Sequence, residues 1–243
     1  MKYVCTVSDK NYYKYTVVLI NSIRASGYDG PIRVFSPDDL DLNCEVIKFD
    51  HGFKSNVFPD PRWIKMKLPY LFDEGDVVCF LDADMIAHKW ADWDYLLSGE
   101  NIYAELRPED DVTHEIQKLK QVLGDADYSR RYLASPACFT VNDEVKNFYK
   151  MARAACFCAD NLNAGTLLSL NIAMFSCDEF RRNTKLLPRE RIVYTLDLNG
   201  HIDTYMPFDE PWFVHYGGSR GKTLWHKQHI LHEDLGYVSL SSR

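Results

Sequence analysis

Asp76-Val77-Val78-Cys79-Phe80-Leu81-Asp82-Ala83-Asp84-Met85-Ile86 is an apolar run that ends abruptly in two carboxylates separated by one alanine. Val77 to Leu81 is short, β-branched and aromatic, and Gly75 stands just before it. That pattern predicts a strand buried on both faces, of the kind found in the middle of a parallel sheet. Such a strand brings Asp82 and Asp84 to its carboxyl end, the edge at which open α/β sheets bind ligands. If the extended conformation persists, alternation sends both carboxylates to one side, where they can share a cation. Taken alone, the motif reads equally well as a metal site or as an acidic turn after a strand.

Working back toward the N-terminus, Lys2 to Val7 is a candidate strand that leads into the polar turn Ser8-Asp9-Lys10-Asn11-Tyr12. Tyr12, Tyr15, Thr16, Leu19, Ile20 and Ile23 then recur at helical steps, with Ser8 or Asp9 available as N-cap and Gly27 as a stop. Ile32 to Phe35 and Glu45 to Phe49 follow as strands, so the chain opens as a βαβ unit. The turn at Ser8 to Tyr12 therefore falls at the same carboxyl edge as the two aspartates. Pro59 to Pro61 break the chain, and Trp63 to Phe72 reads as a helix that Pro69 ends or kinks. This segment sets Arg62, Lys65 and Lys67 shortly before the acidic strand, as solvated lysines or as cations for a phosphate.

Beyond Asp84, Trp90 to Leu97 reads as a short helix with Asp92 favourably placed near its start. Asn101 to Leu106 is a strand candidate, His114 to Leu123 a helix, and Ser135 to Asn142 a further strand. A helix is expected from Asp143 through Ala155. Asp160-Asn161 and the turn-like Asn163-Ala164-Gly165 precede another helical run to Met174, where Asp160 or Asn161 fits an N-cap. Near the end, Trp212-Phe213-Val214-His215-Tyr216 repeats the opening logic: an apolar strand that finishes in a ligand-type residue. Gly217-Gly218-Ser219-Arg220-Gly221-Lys222 follows it. Glycines there allow backbone N–H groups to approach a phosphate while Arg220 and Lys222 neutralise it.

The 243 residues, 46% hydrophobic and 14% aromatic, support a folded core and are compatible with a single domain over residues 1–243. A formal charge of −7 gives no general footprint for nucleic acid or an anionic membrane. Seven cysteines, an odd number without zinc-finger spacing, read as reduced thiols in a cytoplasmic protein. No signal-peptide pattern and no run of about 18 apolar residues is present, so a soluble chain without a membrane span is expected.

The strand ending in Leu-Asp-Ala-Asp, the late His-Tyr-Gly-Gly…Lys…Trp-His segment and the opening Val-Ser-Asp-Lys-Asn-Tyr before a helix with Asn21-Ser22-Ile23 together resemble glycosyltransferases of the GT-A fold. They look most like the family 8 group of glycogenin and the bacterial lipopolysaccharide galactosyltransferases. The resemblance implies a Rossmann-like α/β fold, with a mixed, mainly parallel central sheet flanked by helices. It implies that Asp82, Asp84 and His215 hold Mn²⁺ or Mg²⁺, and that a UDP-sugar is the donor. Thr6, Val7, Ser8, Asp9 and Tyr12 would line the base and ribose pocket, with Tyr12 stacked on the base. Asp82, Ala83, Asp84, Gly218 and Lys222 would complete the nucleotide-binding set. Lys65, Asp160 and Asn161 match the family's catalytic positions, although the usual Asp-Gln pair is here Asp-Asn. The implied reaction is sugar transfer, with retention of anomeric configuration, to a hydroxyl of a glycan, glycolipid or protein.

Two other enzyme classes fit less well. Haloacid-dehalogenase-like phosphatases carry their Asp-x-Asp near the N-terminus, and sugar-nucleotide pyrophosphorylases carry a Gly-rich basic first turn that Ser8 to Tyr12 lacks. A GT-A domain that binds a nucleotide-sugar or carbohydrate without turnover is the non-catalytic alternative.

Overall fold

A computed structural model describes residues 1–49, 64–106, 113–128, 131–161, 166–194 and 210–216. The chain divides into two compact units built from interleaved segments. One comprises Met1–Tyr3, Phe49–Phe80 and Leu96–Arg189; the other comprises Val4–Lys48, Leu81–Tyr95 and Glu190–Arg243. The architecture is mixed α/β. Parallel pairs outnumber antiparallel ones among the strand pairs described below.

The unit that contains Val4–Lys48 opens as the sequence predicts. Strand β1 (Lys2–Val7), helix α1 (Tyr13–Ala25), β2 (Ile32–Ser36) and β3 (Glu45–Lys48) form a βαβ start with a third strand added. Pairing is parallel throughout, with Val4 opposite Ile32, Val7 opposite Phe35 and Val34 opposite Val46. Helix α1 buries Val18, Leu19, Ile20 and Ile23 along one stripe, and this burial holds it in place. The chain leaves the helix through Gly27 at φ 95°, a conformation that glycine adopts without a Cβ penalty.

A second, three-stranded sheet belongs to the same unit. Strand β10 (Phe213–His215) lies between β5 (Met85–Ala87), to which it is antiparallel, and β9 (Ile192–Tyr194), to which it is parallel. Helix α1 covers β5. The Ala87 N–H, facing away from β10, donates instead to the buried Ser22 hydroxyl at 2.9 Å. A side chain thus satisfies an edge-strand donor that would otherwise be lost to the core. Helix α2 (Trp93–Leu96) is capped by Asp92, whose carboxylate accepts the Tyr95 N–H at 2.9 Å.

The other unit contains β4 (Val77–Phe80), β6 (Asn101–Leu106), β7 (Arg131–Thr140) and β8 (Thr184–Leu187), in the order β4-β7-β6-β8. Here the structure corrects an expectation. β4 is buried as predicted, yet its partner β7 runs antiparallel, with Val78 opposite Phe139 and Phe80 opposite Ala137. An all-apolar run reports cover on both faces and carries no information about the direction of the neighbour.

Helices α3 (Thr113–Leu123), α4 (Asp143–Asn161), α5 (Thr166–Ser176) and α6 (Asp178–Arg182) complete this unit. Phe148 of α4 and Phe180 of α6 stack at 4.0 Å, with Tyr103 of β6 edge-on to both. From α5, Asn171 holds the main chain of β7: Oδ1 accepts the Tyr132 N–H and Nδ2 donates to the Tyr132 carbonyl, both at 2.9 Å. Of the helix expected over Trp63–Phe72, Ile64 and Lys65 are helical; a 3₁₀ turn at Leu68–Tyr70 follows, where Pro69 cannot continue an α-helical ladder, and Trp63 lies outside the described residues. None of the described helices is long and apolar enough to cross a membrane.

Candidate metal centre

The acidic motif is held by backbone bonds on both sides. The Leu81 N–H donates to the Cys5 carbonyl at 2.9 Å, which carries the chain along β1 up to the motif. The chain then turns at once, and the Met85 N–H donates to the Asp82 carbonyl at 3.1 Å. Extended conformation therefore does not persist through Asp82-Ala83-Asp84. The carboxylates converge through a tight turn over the buried Ala83, and strand alternation plays no part.

The third ligand type arrives through strand register. β10 places His215 opposite Met85, the residue after Asp84, and the Tyr216 N–H donates to the Asp84 carbonyl at 3.0 Å. His215 Nε2 consequently lies 3.4 Å from Asp84 Oδ1 and 3.8 Å from Asp82 Oδ2. One ligand atom from each of the three residues falls within 4.8 Å of the others. These side chains are only 12–16% exposed. Two carboxylates this close and this sheltered repel each other, and a cation between them relieves that repulsion. Two hard oxygen donors and one imidazole suit Mn²⁺ or Mg²⁺, so the donor set fits the expected ion.

Thr6, Val7 and Ser8 at the end of β1 are buried, and they belong to the same unit as the three metal-ligand candidates. The Ser8 and Thr16 hydroxyls share a hydrogen bond at 2.5 Å, which joins the strand end to the second turn of α1. Neither Ser8 nor Asp9 is the N-cap of α1. That position is Tyr12, which makes no side-chain capping bond. Asp9 organises the turn before it, where Oδ1 accepts the N–H groups of Asn11 at 2.8 Å and Tyr12 at 3.0 Å. The Lys10 N–H donates to Asp38 Oδ2 at 2.8 Å and so ties this turn to the loop after β2. Thr6 Oγ1 is buried and has no hydrogen-bond partner among the described residues.

Tyr12 is 39% exposed, and its ring centroid lies 5.6 Å from that of the buried Tyr15. Burial raises the Tyr15 phenol above its ordinary pKa, with further contributions from Tyr12 and the Asp84 carboxylate. Burial likewise raises Tyr216. In the sequence, Tyr15 is one position of the apolar helix face and Tyr216 simply follows His215. The Tyr12-x-x-Tyr15 spacing, which puts two rings on one helix face at the motif's edge, was the available signal.

The other expected site residues that the structure describes, Lys65, Asp160 and Asn161, belong to the other unit. Lys65 belongs to the unit that contains β4 and sits half-buried with its ammonium 5.4 Å from the Phe80 ring centroid. Asp160 and Asn161 lie within the last turn of α4. The helix runs past Ala155 because Cys156-Phe157-Cys158-Ala159 contains nothing to stop it. Gly218, Lys222, Arg220 and the Asn163-Ala164-Gly165 turn lie outside the described residues.

No protein-family model and no curated protein matches the sequence. Solved structures do match. A galactosyltransferase, LgtC, in complex with donor and acceptor sugar analogues superimposes with a TM-score of 0.67 at 16% identity, over 100% of this chain and 98% of that one. The bifunctional glycosyltransferase WbbM matches with a TM-score of 0.60 at 17% identity, over 89% of this chain and 45% of that one. The glycosyltransferase GlyE of Streptococcus pneumoniae TIGR4 matches with a TM-score of 0.59 at 12% identity, over 96% of this chain and 63% of that one. These likenesses show that the chain has the GT-A glycosyltransferase fold.

Proposed function

We propose that residues 1–243 act as one glycosyltransferase domain. It moves a sugar from a UDP-sugar to a hydroxyl of a glycan, glycolipid or protein, with retention of anomeric configuration. The observation that carries this reading is the convergence of Asp82, Asp84 and His215 at a turn and a strand end of a GT-A fold. In the reaction the bond from the anomeric carbon to the diphosphate oxygen breaks. A bond to the acceptor oxygen forms, and the acceptor's proton is released. Bound Mn²⁺ or Mg²⁺ supplies Lewis-acid stabilisation for the negative charge that develops on the departing diphosphate.

The chain's own residues divide the remaining work. Asp82, Asp84 and His215 hold the ion. Thr6, Val7, Ser8 and Asp9 shape the nucleoside pocket and Tyr12 stacks on the base. Ala83 leaves room for the donor, while Gly218 and Lys222 contact the diphosphate. Through the family resemblance, Asp160 and Asn161 are assigned to the donor sugar and acceptor, and Lys65 to the basic position that precedes the acidic strand.

Nucleotide release from a panel of UDP- and GDP-sugars, with Mn²⁺ and with chelator, tests the proposal. Release from a UDP-sugar that requires Mn²⁺ and is lost in Asp84→Ala is the expected result. Donor binding without release for any acceptor would favour a non-catalytic binding domain. Absence of both binding and release would overturn the reading.

A further inference from the structure

Tyr15 lies between the two functions assigned to its unit. Its ring touches that of Tyr12, the exposed aromatic at the start of α1. It also belongs to one buried cluster with Val18, Ile86, Val193, Val214 and Tyr216. Ile86 is two residues beyond Asp84, and Val214 and Tyr216 flank His215 on either side. The Tyr216 N–H is bonded to the Asp84 carbonyl, so the cluster packs against the backbone carrying two of the three metal ligands. Tyr15 is thus a single rigid ring that contacts the nucleoside side at one end and the support of the metal ligands at the other.

We propose that Tyr15 is a positioning residue that couples nucleoside occupancy to metal occupancy, independently of any phosphate. The inference rests on the proposed function and deepens it. A base stacked on the exposed face of Tyr12 restricts that ring. Tyr12 in turn restricts Tyr15, and Tyr15 narrows the range of positions open to Asp84 and His215. Part of the ordering needed for metal binding is then already complete when the ion arrives. By linkage the effect is reciprocal, so the ion strengthens nucleoside binding by the same factor.

Uridine is the diagnostic probe because it carries the base and ribose but no phosphate that can ligate the metal directly. Mn²⁺ titrations, followed by the electron paramagnetic resonance of the free ion, are run with and without saturating uridine on the wild type, Tyr15→Phe and Tyr15→Leu. Uridine is expected to tighten Mn²⁺ binding in the wild type by about fivefold or more. Tyr15→Phe keeps the ring and retains the effect, whereas Tyr15→Leu loses it while still binding Mn²⁺. A merely structural tyrosine would weaken Mn²⁺ binding equally with and without uridine, and that outcome overturns the inference. Equal coupling in wild type and Tyr15→Leu, or loss of coupling in Tyr15→Phe, overturns it too.

The wild-type arm separates this inference from the reading beneath it. Failure of the wild type to bind either Mn²⁺ or UDP removes both. Binding of Mn²⁺ and of UDP, with Mn²⁺ affinity indifferent to uridine, removes only the role of Tyr15. Should Tyr15→Leu not fold by circular dichroism, that wild-type comparison and Tyr15→Met decide the question.

Discussion

Replacing Asp84 by asparagine should make the protein more stable and less able to use metal, and the two effects have opposite signs that a melt can separate. In the absence of an ion, ligand atoms of Asp82, Asp84 and His215 lie within 4.8 Å of one another with the side chains only 12–16% exposed. Two unit negative charges at that separation repel by about 3 kcal/mol at an effective dielectric near 20. The neighbouring imidazole and the remaining solvent contact reduce this to about 1–2 kcal/mol. Asparagine keeps the shape and removes the charge. For a chain of this length, Asp84→Asn in chelator should melt about 2–8 °C above the wild type. Mn²⁺ at a hundred times its dissociation constant should stabilise the wild type by about 2.7 kcal/mol and the variant by little, which reverses the order. Thermal unfolding of both proteins in chelator and in Mn²⁺ is sufficient. A variant that melts below the wild type in chelator, or that gains as much from Mn²⁺, would refute the idea that Asp84 belongs to a cation site.

Three further outcomes are expected. Thr6→Val should stabilise the protein toward urea by about 1 kcal/mol, because it removes a buried hydroxyl that has no partner, and should weaken UDP binding measured by calorimetry. A destabilised variant with unchanged UDP affinity would mean that the hydroxyl serves the fold. Asn171→Leu should cost about 2–4 kcal/mol in urea unfolding, since it takes from the Tyr132 N–H and carbonyl the side chain that now bonds both. Burial, and secondarily Lys89, lowers the pKa of His88, so the folded chain binds this proton less readily than the unfolded one. Its stabilising effect is complete above the ordinary imidazole value of about 6.5 and is lost as pH falls below it. His88→Phe, which preserves the 4.4 Å stack on Trp90, should therefore flatten the loss of stability between about pH 7 and pH 5.5. An unchanged slope would exclude His88 as its source.

Much of this architecture was readable because each feature was local. Lys2–Val7 and Ile32–Ser36 declare themselves as strands by β-branched and aromatic runs, and α1 by its apolar stripe. His215 was identifiable by the same pattern as Asp82, an apolar strand finishing in a ligand. The misreadings have three different sources: a pairing between distant segments, a local turn and the extent of a helix. β4 looked like a member of a parallel sheet because burial on both faces is common to either direction, and β7 proved antiparallel to it. Asp82 and Asp84 were expected to meet through strand alternation, whereas the Met85 N–H closes a turn on Asp82. Asp160 and Asn161 looked like the opening of a helix because polar residues favour caps. They end α4 instead, since propensity marks where a helix can start and only packing decides how far the previous one extends.

The dependence of His215 on register also bears on how the protein is made. More than half the chain separates Asp84 from His215, and β10 enters its sheet between β5 and β9, both translated earlier. During synthesis the acidic pair emerges first and remains without this imidazole until β10 has been made and has paired with those two strands. A chain lacking β10 would keep the two carboxylates without the imidazole. Tight ion retention at the proposed site would therefore depend on β10 having paired with β5 and β9 in the correct register.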